Sequence, residues 1–232
     1  MPSRKKSTFL LRPTDVAVIL PAYNEARYIA KVLKKSKKIP FTFVVVDDGS
    51  NDATYQIATQ LAPYVLRHKI NLGKGAAMKT GADFAFSELH AKAVIFMDSD
   101  DQHDPAELFT FFDALAKGHE LIFGVRNFAH TMPIIKVLAN RFASVVVYGL
   151  FGTYIPDIPS GYKAMTKKIY RKVQWQASNY RVELEIAVRT SRARLPFHQI
   201  PIKTIYHQHD KGTTLVDVFM MLFHVILWRI RL

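Results

Sequence analysis

Short runs of consecutive apolar residues recur along the first half of this chain, separated by stretches with helical spacing. The runs cover residues 16–20, 41–46, 64–66, 93–97 and 121–124, and helices are predicted over 25–38, 51–62, 75–89 and 105–116. Strands that are apolar on both faces are covered on both sides, and alternation with helices implies a parallel sheet between two helical layers. The chain therefore predicts an α/β fold with a mostly parallel central sheet flanked by helices.

The second half of the chain is less regular. It predicts a long apolar helix over 134–151, a turn-rich loop over 157–162, a helix over 180–194, a strand over 197–205 and a polar loop over 207–213. No run reaches the roughly 18 to 20 uninterrupted apolar residues of a transmembrane helix. We expect a flexible basic tail over 1–13, one domain over 14–213, and a terminal helix over 214–232. That helix reads either as an amphipathic, interfacial segment or as a core-packing one.

The charge balance predicts an anionic partner. The 232 residues include 32 Lys and Arg against 19 Asp and Glu, a formal net charge of +13. Nucleic acid, phosphorylated substrates and an anionic membrane surface would all suit this excess. The basic residues are scattered and the aromatic residues lie mostly in apolar runs, which argues against nucleic acid. Because the chain has no cysteine, disulfides, thiol catalysis and Cys-ligated zinc are excluded.

Polar clusters follow three of the predicted strands. They occupy residues 21–25, 47–50 and 98–102. In open α/β sheets, ligands bind beyond the carboxyl ends of the strands, so we expect these clusters to meet in one crevice. The first strand is followed by Pro21 and not by a glycine-rich turn, which argues against an NAD-binding Rossmann enzyme.

The third cluster is the most acidic of these. Asp98, Asp100 and Asp101 lie within four positions, directly after an apolar run. Carboxylates at the edge of a core are unfavourable unless something cationic lies beside them. Mg²⁺ or Mn²⁺ holding a phosphorylated ligand would satisfy them, because both ions prefer oxygen ligands. The alternative is a solvated acidic turn with a helix cap.

Two further segments are ambiguous by themselves. Residues 71–77 lead into a helix with two glycines and Lys74, and helix N-termini favour phosphate. The spacing matches neither a Walker A loop nor a dinucleotide fingerprint, so an ordinary Gly-rich loop remains open. Asp48 could accept hydrogen bonds from a ribose hydroxyl or a base N–H, or could serve only the turn that follows its strand.

The combination of segments is more specific than any one of them. The segments are Pro21-Ala22-Tyr23-Asn24-Glu25, Asp47-Asp48-Gly49-Ser50-Asn51-Asp52-Ala53-Thr54, Asn71-Leu72-Gly73-Lys74-Gly75 and Asp98-Ser99-Asp100-Asp101-Gln102. In this order and spacing they resemble the inverting family 2 glycosyltransferases with the GT-A fold, strongly over residues 15–141 and more loosely to residue 214. The chain looks most similar to the dolichyl- and polyprenyl-phosphate sugar transferases, of the dolichol-phosphate mannose synthase type. The features that point there are Gln102, Arg126, Asn140-Arg141 and Asp157-x-x-Ser160-Gly161-Tyr162.

The resemblance implies a role for each matching residue. The donor would be a nucleotide sugar of the GDP-mannose or UDP-hexose type, and the acceptor a lipid phosphate at the cytoplasmic face of a membrane. The implied donor-binding residues are Pro21, Tyr23, Glu25, Val46, Asp48, Lys74 and Ser99; the implied ligands of Mg²⁺ or Mn²⁺ are Asp98, Asp100 and Gln102; and the implied phosphate-binding residues are Arg126, Arg141, Ser160 and, on a mobile loop, Lys211. Asp101 stands where an apolar residue is usual, so it joins the catalytic candidates and leaves open which acids bind the metal.

The acceptor decides whether a general base is needed. A lipid phosphate is already anionic and attacks directly, whereas a sugar hydroxyl must lose a proton to a base. The candidate bases are Asp101, Glu183 and Glu185. Glu183 and Glu185 are two positions apart, so on a helix they point in different directions. A non-catalytic nucleotide-sugar-binding protein is a further alternative, against which the intact set of acids argues.

Overall fold

A computed structural model of the chain describes residues 11–126, 134–205 and 228–229. Seven strands form one sheet in the spatial order β3-β2-β1-β4-β6-β5-β7. The strands are β1 (Val16–Ala22), β2 (Thr42–Asp47), β3 (Tyr64–Arg67), β4 (Ala93–Phe96), β5 (Leu121–Arg126), β6 (Lys163–Thr166) and β7 (His198–Ile202). Every pairing is parallel except the two made by β6, which runs antiparallel to both β4 and β5. The predicted mostly parallel sheet is confirmed.

Helices cover both faces of this sheet. They are α1 (Ile29–Ser36), α2 (Thr54–Leu61), α3 (Lys74–Ser87), α4 (Leu108–Ala116), α5 (Ile134–Phe151), α6 (Lys167–Val173) and α7 (Val182–Arg192). Successive residues of β1 enter opposite cores, because Ala17 and Ile19 pack with α3 and α7 whereas Val18 and Leu20 pack with α1 and α4. This two-sided burial explains why the strand is apolar at every position.

One strand and one helix, β6 and α6, were not predicted. β6 has four residues, begins with Lys163 and follows a turn-rich loop, so its sequence carries no strand signal. It nevertheless lies between β4 and β5, where Lys163 is fully buried. Thr166 then begins α6 by accepting a hydrogen bond from the Ile169 amide (3.4 Å). Here the tertiary context overrides the local sequence preference.

The parallel pairing brings the polar clusters together. The carboxyl ends of β1, β2 and β4 lie at one edge of the sheet, because β1 pairs with both neighbours in parallel register. The Ser99 hydroxyl donates to the Pro21 carbonyl (2.8 Å), and the Asp48 amide donates to the Ala22 carbonyl (2.8 Å). The predicted convergence of the three clusters is therefore confirmed.

Several predicted segments fall wholly or largely outside the described residues. They are the start of the basic tail, the polar loop over 207–213 with Lys211, and the terminal helix apart from Trp228 and Arg229. The domain boundaries accordingly stay predictions. Across residues 11–126, 134–205 and 228–229, no helix combines the length and the hydropathy that crossing a bilayer requires.

Candidate active site

The segments after β1 and β2 are clamped to each other at the edge of the sheet. The Asn24 amide donates to the Ser50 hydroxyl (2.9 Å), and the Asn51 amide donates back to the Asn24 side-chain oxygen (2.9 Å). The Glu25 amide donates to the Thr54 hydroxyl (2.7 Å). Asn24 has a φ of 57°, in the left-handed region that Asn tolerates better than most residues. These contacts form one wall of the crevice, where Tyr23 is exposed and Glu25 is half-buried.

Asp48 holds the Gly-rich loop. Its carboxylate is buried and accepts hydrogen bonds from the Leu72 amide (2.9 Å) and the Gly73 amide (2.7 Å). His68 Nδ1 lies 2.7 Å from the same carboxylate. The oxygens of Asp48 thus hold the Gly-rich loop, and the predicted contact of Asp48 with a nucleoside stays a prediction. Its neighbour Asp47 is also fully buried, and in the described part of the chain its Oδ1 has no hydrogen-bond partner.

The Gly-rich loop is held from a second side by residues 175–178. The Ala76 amide donates to the Ser178 carbonyl (3.0 Å), and Trp175 Nε1 donates to the Gly75 carbonyl (2.8 Å). A side chain at Gly73 or Gly75 would overlap the backbone of residues 177–178. The glycines thus allow a close approach of two backbones. Of the two interpretations left open by the sequence, these contacts favour an ordinary Gly-rich loop.

Two further residues that are predicted to bind the donor are buried, and their roles stay predictions. Val46 is fully buried in β2, and its side chain lies against Gly81 of α3, so it offers no side-chain group to a nucleoside. The Ser99 hydroxyl is buried and donates its hydrogen to Pro21, as described above. Pro21 is itself buried, and its carbonyl is the acceptor in that bond.

Lys74 lies between two carboxylates at the centre of the crevice. Its Nζ is 2.7 Å from Asp98 Oδ1 and 2.8 Å from Glu183 Oε1, and its side chain is only 15% exposed. Burial opposes the charge on Lys74, but Asp98 and Glu183 outweigh it and raise the pKa of the ammonium. Burial would likewise raise the pKa of Asp98, but Lys74 lowers it to about 2. Lys74 is therefore the counter-ion of Asp98 and Glu183, and its predicted role in donor binding stays a prediction.

The loop before β6 packs against the carboxylate of Asp98. A Cβ added at Gly161 would overlap the Asp98 carboxylate, so a glycine is needed there. Lys163 donates to the carbonyls of Ile158 (3.3 Å) and Ser160, which fixes the loop from beneath. Burial lowers the pKa of Lys163 to about 8. Ser160 is buried, and its hydroxyl oxygen has no hydrogen-bond partner in the described residues.

His103 is a site residue that the sequence reasoning missed. Its Nδ1 accepts the Asp98 amide (3.3 Å), and its ring stacks on Tyr162 at 4.8 Å. Tyr162 in turn stacks on Phe111 of α4 at 4.4 Å. Burial, opposed by Asp98, lowers the pKa of His103 to about 4, so the ring is neutral near pH 7. The position of His103 directly after Gln102 is the sequence feature that could have identified it as a site residue.

The three acids after β4 have different surroundings. Asp100 Oδ1 accepts the Gln102 amide (3.1 Å), and the Gln102 carbonyl accepts the Ile205 amide (2.9 Å). Asp101 has a φ of 61° and is fully buried, with its carboxylate 2.5 Å from Lys31 Nζ and 2.7 Å from Lys35 Nζ. Burial raises the pKa of Asp101, but the two lysines of α1 lower it overall. These contacts assign Asp101 to an ion pair with α1 and do not favour its predicted catalytic role, which stays a prediction.

Arg126 is oriented by Asp157 at the end of β5. Its Nε and one terminal nitrogen lie 2.8 Å from the two oxygens of Asp157, and its amide donates to the same carboxylate (2.8 Å). Asn140 of α5 also donates to Asp157 (3.0 Å). Arg141 follows Asn140 on α5, and its side chain is exposed. The sequence included Asp157 in a motif but did not identify it as the residue that fixes Arg126.

The substitutions Arg126→Lys and Asp157→Asn should show strong energetic coupling. Each breaks the two-pronged guanidinium–carboxylate geometry that only the pair provides. We expect either single variant to lower transfer activity, and the double variant to lower it little further. A double-mutant cycle on kcat/KM measures this coupling. Circular dichroism checks that each variant keeps the fold of the unsubstituted chain. Additivity within about 0.5 kcal/mol would contradict the pairing.

Glu183 and Glu185 separate as the sequence predicts. Glu183 reaches Lys74 in the crevice, whereas Glu185 accepts the amides of Gln176 (3.0 Å) and Ala177 (2.7 Å). Arg189 Nε also lies 2.6 Å from Glu185. Glu185 therefore fixes the segment that packs on the Gly-rich loop. The predicted difference in direction is confirmed.

The donor set suits a hard divalent cation that keeps ligands from a substrate. No group of three or more His, Cys, Asp and Glu residues at metal-binding spacing occurs within the described ranges. Asp98, Asp100 and Gln102 offer carboxylate and amide oxygens, which Mg²⁺ and Mn²⁺ prefer. Mg²⁺ characteristically combines one or two carboxylates with substrate phosphates. The residues thus fit an ion that is completed by a diphosphate.

Comparison with known proteins identifies the family. The family described as Glycosyl transferase family 2 matches residues 17–174, well over half of the chain. The chain belongs to glycosyl transferase family 2. An uncharacterized protein of Methanocaldococcus jannaschii is 31% identical to this family 2 glycosyltransferase over 226 residues, covering 93% of each chain.

Relatives with named activities also match this glycosyltransferase along most of its length. The UDP-N-acetylglucosamine–dolichyl-phosphate N-acetylglucosaminyltransferase of Methanococcus voltae is 27% identical, over 91% of this chain and 95% of that protein. The polyprenol monophosphomannose synthase of Mycolicibacterium smegmatis is 26% identical, over 95% and 89% respectively. The predicted resemblance to polyprenyl-phosphate glycosyltransferases is confirmed.

A solved structure supports the fold assignment. Glucosyl-3-phosphoglycerate synthase from Mycobacterium tuberculosis, crystallised with Mg²⁺ and UDP, superposes with a TM-score of 0.70 at 22% identity. The match covers 92% of this chain and 78% of that one. The predicted GT-A fold is confirmed.

Proposed function

We propose that this glycosyltransferase moves a sugar from a nucleotide-sugar donor to a polyprenyl or dolichyl phosphate at a membrane surface, with inversion. The activities named for its relatives in Methanococcus voltae and Mycolicibacterium smegmatis support a lipid-phosphate acceptor. The donor is of the GDP-mannose or UDP-hexose type. The reaction would use Mg²⁺ or Mn²⁺.

The choice of acceptor rests on one observation, which is that each of the three candidate bases is already engaged by other groups. Asp101 is paired with Lys31 and Lys35, and Glu183 is paired with Lys74. Glu185 is held by Arg189 and two backbone amides. Each of these carboxylates is therefore already engaged by a cation or by amide donors, and none is placed to take a proton from an incoming hydroxyl. A phosphate acceptor needs no base, so these contacts favour it over a sugar hydroxyl.

The acids after β4 would stabilise the leaving group by holding a divalent ion beside it. Asp100 and Gln102, with Asp98, would hold the divalent ion, which offsets the charge that builds on the departing nucleoside diphosphate. Lys74 keeps Asp98 ionised and adds a second positive charge at the same place. Asp48 acts through the Gly-rich loop that it fixes, and Tyr23 and Glu25 line the wall on the nucleoside side.

The bond changes balance without a proton transfer. A phosphate oxygen of the acceptor forms a bond to the anomeric carbon while the bond from that carbon to the diphosphate oxygen breaks. The nucleoside diphosphate leaves with the electron pair, and attack from the opposite face inverts the anomeric centre. Arg126 and Arg141 align the two anions, which would otherwise repel each other.

A donor and acceptor screen tests the proposal. GDP-mannose, UDP-glucose and UDP-N-acetylglucosamine are incubated with dolichyl or undecaprenyl phosphate and Mn²⁺ or Mg²⁺, and products are identified by mass spectrometry. The matched control acceptor is the corresponding polyprenol, which lacks the phosphate. We expect a glycosylated lipid phosphate from at least one donor, lost in EDTA. Transfer to the polyprenol, or donor hydrolysis without transfer, would overturn the proposed acceptor.

Arg141→Ala should weaken use of the lipid phosphate far more than hydrolysis of the donor. Its side chain is exposed on α5, where it can meet an incoming phosphate without being part of the fold. We expect KM for the acceptor to rise by about tenfold or more, in line with the loss of one charged hydrogen bond. Steady-state kinetics with each substrate varied separately gives the comparison. Equal loss of transfer and hydrolysis would instead assign Arg141 a structural role.

A further inference from the structure

Helix α5 exposes one continuous apolar face. Leu138, Phe142 and Val145 follow one another at spacings of four and three residues, so they line up along the helix, and Tyr148 lies beside them. Their exposed fractions are 59%, 47%, 57% and 56%. The opposite side of the helix is buried in the core, as Val147 shows. Together these four exposed side chains form what we call the α5 stripe.

The border of the α5 stripe is cationic and aromatic. Arg141 lies on the same exposed side, and residues 127–156 contain no Asp or Glu. At the end of the helix, the rings of Tyr148 and Tyr154 meet edge to face at 6.4 Å, and both are exposed. Apolar side chains bordered by basic and aromatic residues are characteristic of helices that lie in the membrane interface.

The charge of the α5 stripe favours a lipid surface over a second copy of the chain. A symmetric dimer would bring two copies of Arg141 close together without an acid from the same segment to pair with them. Anionic headgroups supply that missing charge, and the formal net charge of +13 acts in the same direction. The occupant that matches both the apolar and the electrostatic character is therefore an anionic bilayer.

The same helix reaches the active site from its buried side. Asn140 donates to Asp157, and Asp157 fixes Arg126. A bilayer against the exposed side of α5 would therefore lie one helix diameter from a residue proposed to bind phosphate. We propose that the α5 stripe docks on an anionic membrane and holds the crevice at the level of the lipid headgroups. The catalytic benefit of this docking rests on the proposed lipid-phosphate acceptor, whereas the docking itself does not.

Vesicle flotation tests the docking. The full-length chain is mixed with vesicles of 70% phosphatidylcholine and 30% phosphatidylglycerol, and with vesicles of phosphatidylcholine alone. The variant Phe142→Glu/Val145→Glu should bind the anionic vesicles at least tenfold more weakly than the unsubstituted chain. The matched control is Leu61→Glu, which places one acid at an exposed apolar position of α2 and should bind normally. Phe142→Ser/Val145→Ser introduces no charge, and it should also weaken binding to the anionic vesicles.

Activity assays separate this inference from the proposed function. The double variant should lose transfer to long-chain polyprenyl phosphate in vesicles while retaining transfer to a short, water-soluble prenyl phosphate. If no form uses either acceptor but flotation still falls, the docking stands and the proposed function fails. Equal flotation of a folded double variant overturns the docking. A dimer that becomes a monomer in the double variant by light scattering, with flotation unchanged, would reassign the α5 stripe to self-association.

Discussion

Asp100→Ala should abolish sugar transfer while leaving the fold intact. Asp100 supplies a carboxylate at the proposed position of the divalent ion, and one of its contacts is a local hydrogen bond from the Gln102 amide (3.1 Å). Loss of charge stabilisation at a leaving group costs about 10²–10³ in rate for a single group, and more when an ion is lost with it. Initial rates with saturating Mn²⁺, together with Mn²⁺ binding measured by electron paramagnetic resonance, give the two readouts.

Asp101→Asn is the matched control for this experiment. It changes an acid one position away that is held by Lys31 and Lys35 of α1. We expect it to lower the melting temperature while Mn²⁺ binding and the rate at permissive temperature are kept. Full activity in Asp100→Ala, or the same loss of Mn²⁺ binding in both variants, would contradict the assignment of Asp100 and Asp101 to different roles.

Lys74→Met should produce the largest loss of stability among single substitutions in the crevice. It leaves the carboxylates of Asp98 and Glu183 facing each other without the ammonium that now lies between them. Removing one partner of a buried ion pair costs about 3–5 kcal/mol, because an uncompensated charge remains. Urea unfolding in EDTA measures the loss. Added Mn²⁺ should recover part of it, because a divalent ion at Asp98 replaces the missing positive charge.

Two comparisons make this prediction specific. Lys168→Met removes the cation from an exposed pair with Glu120, and exposed pairs contribute about 0–1 kcal/mol. Adding Glu183→Gln to Lys74→Met should restore stability, because it removes one of the two unpaired acids. Equal stability of Lys74→Met and the unsubstituted chain in EDTA, or equal losses from Lys74→Met and Lys168→Met, would show that the buried cluster does not depend on Lys74.

The sequence predicted the parallel part of the sheet because burial on both faces leaves a clear apolar run. β1, β2 and β4 have that pattern, and the parallel pairing then requires their polar ends to meet. β6 could not be found in this way. Its place in the sheet depends on pairing with two distant strands, and its first residue is a buried lysine.

The sequence could not predict which charged side chains pair with each other. Lys74 is twenty-four residues from Asp98, and nothing in the local pattern distinguishes a phosphate ligand from a counter-ion. Asp101 lies in the same cluster as Asp98, yet its positive φ directs it to α1. Which way an acid points at the end of a strand depends on the backbone of the turn, and this is a property of the fold.

The reversed strand β6 has a consequence for how this enzyme can be divided. β6 joins β4, which is followed by the acids proposed to hold the divalent ion, to β5, which ends at Arg126. A fragment ending at residue 126 would leave β4 and β5 with open edges where β6 pairs in the intact chain. The parts that we propose to bind the donor and the acceptor are therefore not separable modules joined by a hinge. We expect them to fold, and to unfold, as one cooperative unit.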